Sequence, residues 1–119
     1  MYPYKHDGLS TLDVSIIQKY ISSKEKTKYV FVESGTNLGA GVQSALDSCR
    51  FKKIYSIEIE KDFYEAAVNR FKYNKEVEII YGDANLELPT LCGKLKEPIL
   101  FFSDGHNLTD SSVIRDIEC

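Results

Sequence analysis

Apolar positions along the chain alternate between two periods. Leu12, Ile16, Ile17, Tyr20 and Ile21 fall at helical spacing behind Ser10-Thr11-Leu12-Asp13, which resembles a capping box, and predict a helix over roughly 11–22. After the polar stretch Ser22 to Lys28 comes Tyr29-Val30-Phe31-Val32, a β-branched and aromatic run that ends at a glycine-rich turn and reads as a buried strand. Val42, Ala45, Leu46 and Cys49 then share one helical face, and Lys53-Ile54-Tyr55-Ser56-Ile57-Glu58-Ile59 alternates as a second strand.

The alternation continues. Asp62 is placed to cap a helix carrying Phe63, Ala66, Ala67 and Phe71, and Val77-Glu78-Ile79-Ile80-Tyr81 forms a third strand. Leu88, Leu91 and Leu95 predict a short helix before a fourth run, Ile99-Leu100-Phe101-Phe102. In the tail, Ser111 or Ser112 is a candidate cap and Val113, Ile114 and Ile117 make one more helical stripe over 111–118. Strands alternating with helices predict an α/β fold with a parallel sheet covered on both faces, because each parallel crossover needs a connection long enough to form a helix.

The 119 residues suit one domain over 1–119, with 43% hydrophobic and 28% charged residues. A net charge of -3 and a pI near 5.4 leave no positive field for phosphate backbones or anionic membranes, which argues against nucleic-acid and membrane partners. Clusters such as Lys24, Lys26 and Lys28, or Lys52-Lys53, read as solvated faces. Cys49, Cys92 and Cys119 are widely spaced and form no ligand cluster, so reduced thiols in a cytoplasm are expected. The segment Met1 to Asp7 lacks the apolar region of a signal peptide.

The candidate chemistry lies behind the first strand, in Glu33-Ser34-Gly35-Thr36-Asn37-Leu38-Gly39-Ala40-Gly41. Glycines there permit positive φ and close approach to a ligand, and the helix that follows offers unpaired amide donors. The spacing differs from the dinucleotide-binding G-x-G-x-x-G, and no Lys-Ser/Thr follows as in a P-loop, which disfavours an NAD-type binder. The second strand ends in Glu58, placed to accept hydrogen bonds from ribose hydroxyls. The third ends in Tyr81-Gly82-Asp83-Ala84 and the fourth in Ser103-Asp104-Gly105-His106, so each strand delivers an acidic residue to the edge where open α/β sheets bind ligands.

Taken together, Glu33-x-Gly35-Thr36-x-x-Gly39-x-Gly41, Ser56-Ile57-Glu58, Gly82-Asp83-Ala84 and Asp104-Gly105-His106 resemble class I S-adenosylmethionine-dependent methyltransferases over about residues 29–118. The resemblance implies a Rossmann-like sheet of about four strands in the order 3-2-1-4, lacking the later strands of the full fold. It implies S-adenosylmethionine as cofactor, with Gly35, Thr36, Gly39 and Gly41 at the methionine part and Glu33 orienting that loop. Glu58 would hold the ribose, Ile59 the adenine face, and Asp83 with Ala84 the adenine edge. Asp104 and His106 would sit beside the reactive methyl as a catalytic pair, or as two ligands of a divalent metal as in related O-methyltransferases. The expected function is methyl transfer to a small-molecule or protein acceptor. The alternative is a non-catalytic cofactor-binding module, or a fragment that a partner completes. If the sheet stops at the fourth strand, Ile99 to Phe102 form an exposed apolar edge, which predicts self-association or a completing partner through that strand or the terminal helix.

Overall fold

A computed structural model describes residues 13–21 and 29–103, and the backbone of 113–117. The elements run α1 (Val14–Tyr20), β1 (Tyr29–Ser34), α2 (Ala40–Ser48), β2 (Phe51–Glu58), α3 (Lys61–Arg70), β3 (Val77–Tyr81), α4 (Ala84–Lys94), β4 (Ile99–Ser103) and β5 (Val113–Ile117). β1 lies between β2 and β4, and β3 flanks β2, all in parallel, so this part of the sheet has the expected order β3-β2-β1-β4. Val30, Phe31 and Val32 are therefore buried on both faces, which is why β1 reads as a continuous apolar run rather than an alternating one.

Alternation along the strands sorts the core into two layers. Phe31, Ile54, Leu100 and Phe102 face α1, α2 and α3, meeting Ile17, Val42, Ala45, Ala67 and Phe71. Val30, Val32 and Ile99 face the other way, toward Leu91 and Leu88 of α4. Helices thus cover both faces, as the strand–helix alternation requires. Phe31 and Phe102 are wholly buried, each contributing about 1.5–3 kcal/mol from the apolar surface withdrawn from water.

Helix boundaries follow from local chemistry. α1 starts at Asp13, whose carboxylate accepts the Ser15 amide at 2.9 Å; Ser10 and Thr11, the expected cap, lie outside the described residues. α3 starts after Glu60, and Asp62, the expected cap, sits in the first turn, where its charge faces the positive end of the helix dipole. α4 is longer than the leucine stripe marks, since Asp83 caps it and it runs through Pro89.

The C-terminal segment departs from the helical expectation. Val113–Ile117 is a strand, not a helix, and pairs antiparallel with β4 from Ile99↔Ile117 to Ser103↔Val113. The expected stretch 111–118 is too short for a helix to be stable by itself, whereas β4 presents a ladder of backbone donors and acceptors to a β-branched segment. β4 is consequently not an edge of the sheet, and the segment expected as a terminal helix forms the edge strand beside it. Ser111 and Ser112 lie outside the described residues. The thiol expectation also needs correction. Cys49 is an exposed free thiol, but Cys92 on α4 is disulfide-bonded. Among the described residues no helix is long and apolar enough to cross a membrane.

Candidate functional site

The sheet's carboxyl edge gathers the predicted residues through register. Glu33 is level with Ser56 and Phe102, and Glu58 with Tyr81. The last two carbonyls of β2 extend the ladders past the strands: Gly35 N–H donates to Ile57 at 2.8 Å and Gly82 N–H to Glu58 at 2.9 Å. β2 thereby anchors the start of both the glycine loop and the turn into α4.

Beneath the loop lies a buried polar chain. Ser56 donates to Glu33 Oε1 at 2.6 Å, which leaves the Ser56 oxygen to accept the Thr36 hydroxyl, also at 2.6 Å. Glu33, Thr36 and Ser56 are each at most 2% exposed, and burial is tolerable because these polar groups bond one another. Gly41 makes room for this arrangement, since a Cβ there would stand 2.0 Å from Glu33 Oε2. Gly39 turns left-handed at φ 96° as the N-cap of α2, and a Cβ on it would meet Arg70 Nη1 and the Phe71 ring, each at 3.0 Å. These two glycines are thus required by packing within the chain itself, whereas half-buried Gly35, at φ 92°, opens the loop.

Glu58 is the centre of the edge. Its carboxylate accepts the Asn37 amide at 2.7 Å on Oε1 and the Glu60 amide at 2.9 Å on Oε2, and the residue is 2% exposed. A carboxylate offers about four lone-pair sites, so acceptor capacity for a diol remains after these two bonds. Beside it Ile59 is 58% exposed, a large apolar side chain turned to solvent next to a buried acid. Asp83 Oδ1 accepts the Asn85 amide at 2.9 Å, and Ala84 begins α4, both half-buried. Asp83→Ala is expected to cost about 1 kcal/mol through loss of the helix cap, read as a shift of the urea midpoint. An unchanged midpoint would remove the cap from the account.

Asp104 and His106 lie outside the described residues, directly after β4 in the sequence. Among the described residues no group of three or more His, Cys, Asp and Glu is arranged to hold a metal. Two contributors carry little or no sequence signal. Ser56 is legible only as a polar residue inside an apolar strand, and Arg70, which donates to the Leu38 carbonyl at 2.6 Å, has no local signature at all.

No family model matches the chain, and no curated protein matches it. Among solved structures, a Staphylococcus aureus protein named as a caffeoyl-CoA O-methyltransferase aligns at TM-score 0.56 and 17% identity, over 76% of this chain and 56% of that one. A Pyrococcus horikoshii protein named as an RNA methyltransferase aligns at TM-score 0.51 and 12% identity, over 79% of this chain and 56% of that one. A Methanococcus maripaludis protein named as S-adenosyl-L-methionine-dependent methyltransferase aligns at TM-score 0.45 and 20% identity, over 58% of this chain and 33% of that one. The chain spans between about a third and just over half of the length of these structures. At such identities the likeness is one of fold. The chain has the Rossmann-like α/β fold that class I S-adenosylmethionine-dependent methyltransferases share.

Proposed function

We propose that this chain binds S-adenosylmethionine along the carboxyl edge of its parallel strands and serves methyl transfer to a small-molecule or protein acceptor. The observation that carries the reading is Glu58, a buried acid at the end of β2 bonded across to the glycine loop. In open α/β sheets an acid at this place accepts ribose hydroxyls. Exposed Ile59 offers an apolar surface for the adenine face, Asp83 and Ala84 its edge, and the backbone of the loop opened by Gly35 the methionine part. Glu33 and Thr36, tied through Ser56, with Gly39 and Gly41, shape that loop from beneath. Bound there, S-adenosylmethionine supplies an electrophilic methyl on its sulfonium. Asp104 and His106, next in sequence after β4, are assigned to the acceptor side, where a proton must be taken only from a weak nucleophile such as a hydroxyl.

Calorimetry with S-adenosylmethionine, S-adenosylhomocysteine and NAD tests the reading. Binding of the first two without NAD is the expected result, and a preference for NAD overturns it. One observation favours the second reading, a cofactor-binding module without its own catalysis: antiparallel β5 occupies the far side of β4, where a longer parallel sheet would continue. Radiolabelled methyl transfer separates the two, because a module binds the cofactor and transfers nothing.

A further inference from the structure

We infer that Arg70 is a positioning residue, holding the glycine loop in its ligand-receiving shape at the Leu38 carbonyl while Glu58 holds the Asn37 amide; this rests on the cofactor reading above. Arg70 closes α3, and its guanidinium donates from Nη1 to the Leu38 carbonyl at 2.6 Å and from Nη2 to Gln43 Oε1 at 3.3 Å. The guanidinium carbon also lies 4.9 Å from the centroid of the Phe71 ring, which is buried in the core, so the fork is aimed from a fixed base. One residue earlier, the Asn37 amide donates to Glu58. The two-residue segment Asn37-Leu38 is therefore held at its donor by an acid on β2 and at its acceptor by a base on α3.

That segment needs holding. Asn37 has φ 52° and Gly39 φ 96°, so left-handed residues stand on both sides of Leu38. Asparagine tolerates such a conformation better than other side chains, and the Asn37 side chain donates to the Gly35 carbonyl at 3.4 Å, but it holds the turn less firmly than glycine would unless neighbouring groups support it. The Leu38 side chain does not do so, being 69% exposed. The turn's own bond, Gly39 N–H to the Thr36 carbonyl at 2.9 Å, leaves the Leu38 carbonyl to Arg70. Gly39 completes the arrangement, because a side chain there would press on Arg70 and Phe71.

The test uses the whole chain with Arg70→Met, which keeps an unbranched apolar stem over Phe71, and Arg70→Lys, which keeps the charge and one reach toward Leu38. S-adenosylhomocysteine binding by calorimetry is measured alongside amide hydrogen exchange of the ligand-free protein. Loss of a charge-assisted hydrogen bond at an exposed site predicts a dissociation constant raised about five- to tenfold in Arg70→Met, with partial recovery in Arg70→Lys. Exchange at Asn37 and Gly39 should quicken while the amides of β1 and β2 keep their protection. Wild-type affinity in both variants, or loop exchange unchanged, overturns the inference. Equal loss of protection in the strands overturns it too, because Arg70 would then support the whole fold rather than the loop. If the wild-type chain binds no S-adenosyl compound, the cofactor reading fails, and loop exchange in the ligand-free variants still decides the role of Arg70.

Discussion

Gly41→Ala is expected to destabilise the protein by about 3 kcal/mol, against what helix propensity alone predicts. Gly41 is the second residue of α2 and its backbone is ordinary helix, where alanine is favoured over glycine by up to about 1 kcal/mol. The added methyl, however, would stand 2.0 Å from Glu33 Oε2 and 3.0 Å from its carboxyl carbon. Glu33 is 1% exposed and its other oxygen accepts from Ser56 at 2.6 Å, so it cannot swing aside without breaking the Thr36–Ser56–Glu33 chain. Overpacking costs about 1–3 kcal/mol and leaving a buried polar group unsatisfied about 1–3 kcal/mol, and the two overlap because one movement causes both. The clash therefore outweighs the propensity gain. Urea denaturation should show a lower midpoint with an unchanged slope. The double variant Gly41→Ala/Glu33→Ala should fall well short of the summed single costs, since each substitution removes part of the other's penalty. Strict additivity, or a single variant as stable as wild type, would show that Glu33 yields freely.

The second large effect is expected at the end of β2, where two carboxylates stand two residues apart in different surroundings. Glu58→Ala removes the acceptor for both the Asn37 and Glu60 amides from a site that is 2% exposed. Bonds to a charged acceptor are worth about 1.5–3 kcal/mol each, so a combined loss of roughly 3 kcal/mol in stability is expected even without a ligand. Glu60 is exposed and, although it is the N-cap of α3, makes no side-chain capping bond, so Glu60→Ala should stay within about 0.5 kcal/mol of wild type. Affinity for S-adenosylhomocysteine should follow the same order, falling at least tenfold for Glu58→Ala, as loss of about 1.4 kcal/mol or more implies. Glu58→Gln separates the two roles, because its amide oxygen can still accept from Asn37 while the diol loses a charged acceptor. Equal dissociation constants for the Glu58 and Glu60 variants would sink the ribose assignment.

Much of the fold and part of the candidate site are legible in the sequence itself. The run Val30-Phe31-Val32, flanked by a polar stretch and a glycine turn, suits a strand buried on both faces, and that is where β1 lies. Once strands alternate with helices, parallel pairing and coverage of both faces follow from connection length. Glu58 is readable because it closes the strand that follows the glycine turn, the place where nucleotide-binding α/β folds carry a ribose-binding acid. The role of the glycines is less so. Composition and spacing suggest a ligand loop, while Gly39 and Gly41 also answer to Arg70, Phe71 and Glu33, of which the first two are distant in sequence.

What only the tertiary structure decided are the features set by partners rather than by local pattern. Val113, Ile114 and Ile117 fit a helical stripe and a strand about equally, and the choice went to the strand because β4 offered it a backbone ladder. Ser56 is a lone polar residue in the sequence and becomes the link between Glu33 and Thr36 only when register sets β1 beside β2. Arg70 is an ordinary helix-end cation until the packing of α3 brings it to Leu38. Hydrophobic periodicity reports which face of an element is buried, and so it determines the elements and their layers. It carries no information about which side chain meets which across the core, and the shape of the candidate site depends on those meetings.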